Sequence, residues 1–159
     1  MIDYEERALL SLECYRALKT EVCAEVNGPH PTVMIMEAQF DEQIEAAACE
    51  SEEVLDAALH FVAMHTRPPN VVVLCFEAAA LEAESDYAGP RPGELEEQGD
   101  PRTFESLCVM CFDGEGVLQT AVSQRVRYDD AGLPYYDDPM PAKDYSGHLA
   151  AFVREAMRP

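Results

Sequence analysis

Apolar positions in this 159-residue chain fall into two patterns, short unbroken blocks and longer stripes at helical spacing. The best-defined stretch is residues 104–128. Leu107-Cys108-Val109-Met110-Cys111-Phe112 is an unbroken apolar arm, and Asp113-Gly114-Glu115-Gly116 follows with turn chemistry. The next arm alternates, with Leu118, Thr120, Val122, Val126 and Tyr128 on one face and Gln119, Ser123, Arg125 and Arg127 on the other. This predicts a β-hairpin whose two turn glycines are free to take positive φ. A continuous apolar arm needs cover on both faces, an alternating arm on one.

The rest of the chain is read as that cover. Asp3 caps a first helix with Glu5 and Glu6 in its first turn. Leu9, Leu10, Leu12, Cys14, Leu18 and Val22 recur along it, and Asn27-Gly28-Pro29 ends it. Thr32-Val33-Met34-Ile35-Met36 has no polar face and reads as a central strand. A second helix is expected over 41–64, with Ile44, Ala48, Leu55, Ala58, Leu59 and Val62 on one stripe. Val71-Val72-Val73-Leu74-Cys75-Phe76 is a second apolar strand. Strand, helix, strand predicts a parallel, right-handed βαβ unit. Beyond the hairpin, Asp129-Asp130-Ala131-Gly132 reads as a turn and Leu133-Pro134-Tyr135-Tyr136 as a short edge strand. Ser146 is placed to cap a last helix with Leu149, Phe152, Val153 and Met157 inward.

The expectation is therefore an α+β fold: a mixed central sheet of four or five strands, one βαβ unit plus a β-hairpin, covered by three helices. It forms a single globular domain over 1–159 containing an irregular acidic loop at 78–102.

Charge changes the picture more than composition does. The net charge is −20, distributed as −10 over 1–53, −7 over 54–106 and −3 over 107–159. Nothing basic clusters enough to displace phosphate counterions, so direct nucleic-acid binding is disfavoured. High net charge favours solubility, and an acidic surface suits a basic partner or mimics nucleic acid. No apolar run approaches the ~20 residues of a membrane helix. Residues 1–6 are acidic where a secretory signal is basic, so a cytoplasmic location is expected. The six cysteines sit within apolar patterns and are expected as reduced thiols. Cys108 and Cys111 have CxxC spacing, but three residues along a strand place them on opposite faces.

Two groups of residues are candidates for chemistry or binding. Val33-Met34-Ile35-Met36-Glu37-Ala38 echoes Val73-Leu74-Cys75-Phe76-Glu77-Ala78. If those strands are adjacent and parallel, Glu37 and Glu77 meet at their carboxyl ends, where a carboxylate pair can hold a divalent cation or act catalytically. Tyr128, Tyr135, Tyr136, Asp137 and Asp138 form an aromatic-acidic group of the kind enriched at binding interfaces. His30, His60, His65 and His148 show no metal-ligand spacing.

Glu77, Gly93-Glu94-Leu95, Gly99-Asp100-Pro101, Glu105-Ser106-Leu107, Asp113 and Arg127-Tyr128 together give residues 70–136 a further character. That stretch resembles small uncharacterised acidic proteins of actinobacteria and their phages. In those, a strand ending in Glu precedes a Gly-Asp-Pro loop and a hairpin closing near Tyr-Arg or Arg-Tyr. Here Ala78-Ala79 stands where the resemblance would place an aromatic. The resemblance implies a phage-encoded origin and carries no activity.

The favoured function is that of a non-enzymatic protein acting by protein binding, its partner unidentified and basic. A divalent-metal-binding enzyme using Glu37 and Glu77 is the alternative, and the only reading that requires a cofactor. A nucleic-acid-mimicking inhibitor of a DNA- or RNA-binding protein is a third reading. Homo-oligomerisation stays open under all three.

Overall fold

The hairpin forms where expected, but a register shift turns Leu118 to the opposite face from Val122 and Val126. Strand β4 (Thr103–Asp113) pairs with β5 (Leu118–Tyr128) in antiparallel register from Ser106↔Arg125 to Phe112↔Leu118, with a shift between Cys111 and Phe112. The computed structural model describes residues 3–25, 32–38, 44–49, 53–54, 56–57, 59, 69–81, 98–99, 101, 103–142 and 148–157. At 22–25, 32–38, 44–49, 69–70, 78–81 and 148–149 it describes the backbone alone.

Its turn shows why the sequence reads so clearly. Asp113 Oδ1 accepts from the Glu115 and Val117 amides at 2.9 and 3.0 Å, and Gly116 N donates to Asp113 O at 3.0 Å. Gly116 alone of the two turn glycines takes positive φ, at 82°, the left-handed position that follows a tight turn in such hairpins. The same device recurs at Asp129-Asp130-Ala131-Gly132. Asp129 Oδ1 accepts from Ala131 and Leu133, and Gly132 sits at φ 81°. Each Asp-x-x-Gly turn reverses the chain and sends the next strand back.

Strands β1 (Thr32–Ala38), β2 (Ile44–Cys49), β3 (Pro69–Leu81), β6 (Pro134–Tyr136) and β7 (Met140–Pro141) complete the sheet. Its order is β2-β1-β3-β4-β5-β6, with β7 also paired to β5. Five expected strands are present, the short proline-started edge included, and β2 and β7 add to them. The sheet differs from expectation in direction. Every strand pair among the described residues is antiparallel, so the mixed sheet with a parallel βαβ unit does not form.

The cause lies in residues 44–49. Ile44-Glu45-Ala46-Ala47-Ala48-Cys49 reads as the start of a helix but is β2, paired with β1 from Thr32↔Cys49 to Glu37↔Ile44. Alanine's helical preference is worth at most ~0.7 kcal/mol per residue over ordinary residues. An open strand edge leaves a row of amides and carbonyls without strand partners, and the segment takes up that edge of β1. The helix expected over 41–64 survives among the described residues only as helical positions between 53 and 59. Leu59, one of them, is fully buried.

Helix α1 (Tyr4–Glu25) covers one face of the sheet and α2 (His148–Ala156) the other. Asp3 caps α1 by accepting from Glu6 N at 3.1 Å. On its side, Ala8, Leu12 and Tyr15 pack against Val71, Val73, Cys75, Leu107, Val109 and Cys111. On the other, Val153, Ala156, Met157 and Leu59 pack against Val72, Leu74, Met110 and Phe112. The neighbours β3 and β4 thus bury alternate residues in both directions, as their unbroken apolar sequences require. Val153 and Met157 face inward as expected; Phe152 is partly buried. Ser146 and the Leu149 side chain lie outside the described residues, as does nearly all of the 82–102 part of the expected loop, whose residues 78–81 belong to β3.

The face of α1 is a second correction. At 100° per residue, Leu9, Leu10, Leu12, Cys14 and Leu18 spread over more than half of the helix circumference. Only Leu12 of these is buried; the inward stripe is Ala8, Leu12, Tyr15 and Lys19.

Candidate functional site

The stripe on α1 ends in a charge. Lys19 is 3% exposed and lies where β3 and β4 emerge from under the apolar part of the helix. Alternation brings Val73, Cys75 and then Glu77 to the α1 face of β3. On β4, Leu107 and then Glu105 face the same way, and the register Glu77↔Leu107 makes the two glutamates diagonal neighbours. Lys19 Nζ bridges them, donating to Glu77 Oε1 and to Glu105 Oε1, the latter at 2.9 Å. Tyr128, at the end of β5, donates its hydroxyl to Glu105 Oε2 at 2.5 Å. The result is a chain of four groups, Glu77–Lys19–Glu105–Tyr128, spanning α1 and three strands.

Its electrostatics are those of a latch. Burial alone would lower the Lys19 pKa, but hydrogen bonds to both carboxylates outweigh it, and the ammonium is held above the ordinary lysine range. Burial raises Glu105, yet hydrogen bonds from Tyr128 and Lys19 leave it below the usual carboxylate range. Burial, then the hydrogen bond to Glu105, pushes the Tyr128 phenol up to about 12. At neutral pH Lys19 is therefore charged and is no nucleophile, and Tyr128 keeps its proton.

Glu77 thus finds a carboxylate partner, but it is not Glu37. Glu37 pairs with Val71 at the opposite end of β3, six residues from Glu77. At ~3.3 Å per residue that is about 20 Å, too far to share a cation whose bonds are ~2.0–2.6 Å. The antiparallel pairing removes the basis for placing the two together. Among the described residues no three His, Cys, Asp or Glu side chains converge to hold a metal ion.

The tyrosine-aspartate group is likewise divided. The register pairs Val126↔Tyr136, Arg127↔Tyr135 and Tyr128↔Pro134. Tyr128 and Tyr136 lie on the α1 face. The Tyr136 hydroxyl contacts Thr20 Oγ1 at 2.9 Å and Arg16 O at 3.3 Å, and the Arg16 guanidinium lies 5.8 Å from its ring centroid. Tyr135 points to the other face and is 51% exposed. Its cross-strand neighbour Arg127 holds Asp137 bidentately, at 2.8 and 3.0 Å, and this hydrogen bonding keeps the Asp137 carboxyl below its usual range. Asp138 is exposed.

Lys19 and Glu105 are the residues of this four-group chain that sequence reasoning missed, and Lys19 is the one that sets it up. Its signal was available: a lysine extending the spacing of Ala8, Leu12 and Tyr15 on one helix face must be buried, and a buried lysine needs carboxylates.

The cysteines follow the strand geometry. Cys111 packs on the α1 side, Cys108 has the parity of Met110 and Phe112 on the α2 side, and Cys14, Cys75, Cys108 and Cys111 are all free thiols. Burial pushes Cys75 and Cys111 up to about 12. Alkylation of the native protein, mapped by mass spectrometry, should label Cys14 and spare Cys75, Cys108 and Cys111. Equal labelling of Cys108 would mean that β4 opens on the timescale of the reaction.

Compared with family models, curated proteins and solved structures, the chain matches none. Among the described residues no helix is long and apolar enough to cross a membrane.

Proposed function

We propose that the chain acts by binding a protein partner rather than by catalysis, with the outer sheet edge around Tyr135 as a contact surface. One contrast carries this reading. Lys19, Glu105 and Tyr128 are engaged with one another and held away from neutral-pH titration, while Tyr135 stands half-exposed on a three-residue edge strand. Leu133 and Met140 are exposed nearby in the chain, giving the edge apolar area beside Asp129, Asp130 and Asp138. An aromatic with a polar tip, set among apolar and acidic neighbours, suits a partner that is basic around an apolar centre.

The test is capture from a lysate by wild-type protein and by Tyr135→Ala. The substitution is at an exposed position, so stability should change by less than about 0.5 kcal/mol. Capture should be lost, and wild-type capture should weaken as salt rises. Capture unchanged by Tyr135→Ala would remove this edge as the contact. Tyr136 is the wrong residue for the test, because it ties β6 to α1.

A further inference from the structure

A groove of about 470 Å³ runs between the hairpin turn and α2. Gly116, Val117 and Leu118 line it on one side, and Ala150, Ala151 and Arg154 on the other. It stays open because the residues there are small. Gly116 sits against Met157 and Val153 with no room for a Cβ, and two alanines stand where longer side chains would close the gap. The volume falls within the ~300–1,000 Å³ of small-molecule sites, which are likewise apolar with a few polar groups.

One cation lines this groove uncommitted. Of the other described cations, Lys19 is held by Glu77 and Glu105 and Arg127 by Asp137. Arg16 lies over the Tyr136 ring, Arg125 over the Phe104 ring at 4.4 Å, and Arg7 is engaged within the chain. Arg154 is exposed, and no ion pair or side-chain hydrogen bond to it is present among the described residues. Its place in the last turn of α2 suits the helix dipole, worth ~0.3–1 kcal/mol, but the dipole does not account for the apolar groove beside it. Glu155, the acid that lines the same groove, is engaged within the chain. The site also lies in the least acidic third of the sequence, which carries −3 of the −20. Exposed acids farther off than ~8 Å are largely screened at physiological salt.

We propose that this groove binds an aliphatic monocarboxylate, its hydrocarbon tail on Val117, Leu118, Ala150 and Ala151 and its carboxylate on the Arg154 guanidinium. The planar guanidinium matches a carboxylate with two parallel N–H···O bonds, and a hydrogen bond between ions is about twice as strong as a neutral one. No aromatic ring lines the groove for a ligand ring to stack on, which favours a chain as the tail. The site is separate from the Tyr135 edge. Arg127, opposite Tyr135, is nine residues beyond Leu118 along β5 (127 − 118), about 30 Å at ~3.3 Å per residue. The inference therefore stands or falls independently of protein binding at that edge.

The test titrates the full chain with octanoate, with octanol as the uncharged counterpart and acetate as the tailless one. Calorimetry gives the affinities, and backbone amide NMR shifts locate the site. Octanoate should saturate with a Kd below about 1 mM and bind about tenfold more tightly than octanol. Acetate should show no saturation over the same range, because it lacks the buried CH₂ groups. Shifts should centre on residues 116–118 and 150–155. Arg154→Gln, at an exposed position compatible with folding, should weaken octanoate about tenfold and change octanol by less than about twofold. Ala151→Phe, also exposed, should fill the groove and weaken both about tenfold or more, while Tyr135→Ala should change neither. Octanoate binding unchanged by Arg154→Gln, or equal to that of octanol, would overturn the inference. So would shifts centred on the exposed leucines of α1, which would mean a tail adsorbed on apolar surface rather than a site.

Discussion

Replacing Lys19 with methionine should destabilise the fold by about 3 kcal/mol at neutral pH, and the loss should shrink as the pH falls. Methionine keeps much of the apolar length of the side chain, so the cost is electrostatic rather than a cavity. Glu77 and Glu105 would be left side by side without their cation. Removing one partner of a buried ion pair typically costs ~3–5 kcal/mol, and partial exposure of both carboxylates places this case at the lower end.

The pH dependence distinguishes this from loss of packing. In the wild type, the Lys19 pKa is raised, so its stabilisation is complete below the ordinary lysine value near ~10.4 and is lost as pH rises through the higher folded value. Glu105 is depressed, so its stabilisation is complete above ~4.3 and is lost as pH falls through the lower folded value. The latch is therefore intact between those limits. Without Lys19, protonating the carboxylates relieves their repulsion, so acid stabilises the variant locally while it weakens the wild type. Urea unfolding at pH 7, 5.5 and 4 should show converging stabilities. Parallel curves would mean that Lys19 contributes only its packing. Adding Glu77→Gln and Glu105→Gln to Lys19→Met should recover most of the loss, since a fully neutral cluster leaves no buried charge unpaired.

The contrast between what the sequence showed and what it hid has one physical source. The hairpin, the Asp-x-x-Gly turns, the edge strand at Pro134–Tyr136 and the opposite faces of Cys108 and Cys111 depend on local geometry, strand alternation and turn chemistry. Those were legible. The helix expected at 44–49, the parallel pairing and the Glu37–Glu77 site depended on which strand lies beside which, a long-range choice. Ala46-Ala47-Ala48 favours a helix locally and becomes a strand because β1 offers it an edge. The latch was hidden for a related reason. Tyr128 and Glu77 were both visible as candidates, but only the packing of α1 brings Lys19 between Glu77 and Glu105 and completes the chain to Tyr128. On α1 itself the apolar residues outnumber the positions that the sheet can cover, so hydrophobicity alone could not say which side faces inward. Ala8 and Lys19 share the inner face with Leu12 and Tyr15, while Leu9, Leu10 and Leu18 are left outside.

The two Asp-x-x-Gly turns supply their own control, and Gly116→Ala should destabilise far more than Gly132→Ala. Both glycines have nearly the same positive φ, 82° and 81°, so an alanine pays the same backbone strain at each, about 1–2 kcal/mol. Their surroundings differ. A Cβ at Gly132 would meet nothing within 4 Å. A Cβ at Gly116 would lie 2.8 Å from Met157 Cβ, 3.1 Å from Met157 Cγ and 3.2 Å from Val153 O. Those atoms are close to or part of the α2 backbone, so no rotation of a side-chain end relieves the overlap. The hairpin turn and the end of α2 must move apart, which loosens Val153 and Met157 against Met110 and Phe112. Overpacking of this kind adds ~1–3 kcal/mol, giving about 2–5 kcal/mol for Gly116→Ala against about 1–2 kcal/mol for Gly132→Ala. Urea midpoints of the two variants measure the difference directly. Equal midpoints would mean that α2 yields without cost and that the turn serves only to reverse the chain. A gap of the expected size would make Gly116 the point where the hairpin is fitted to the helix that covers it.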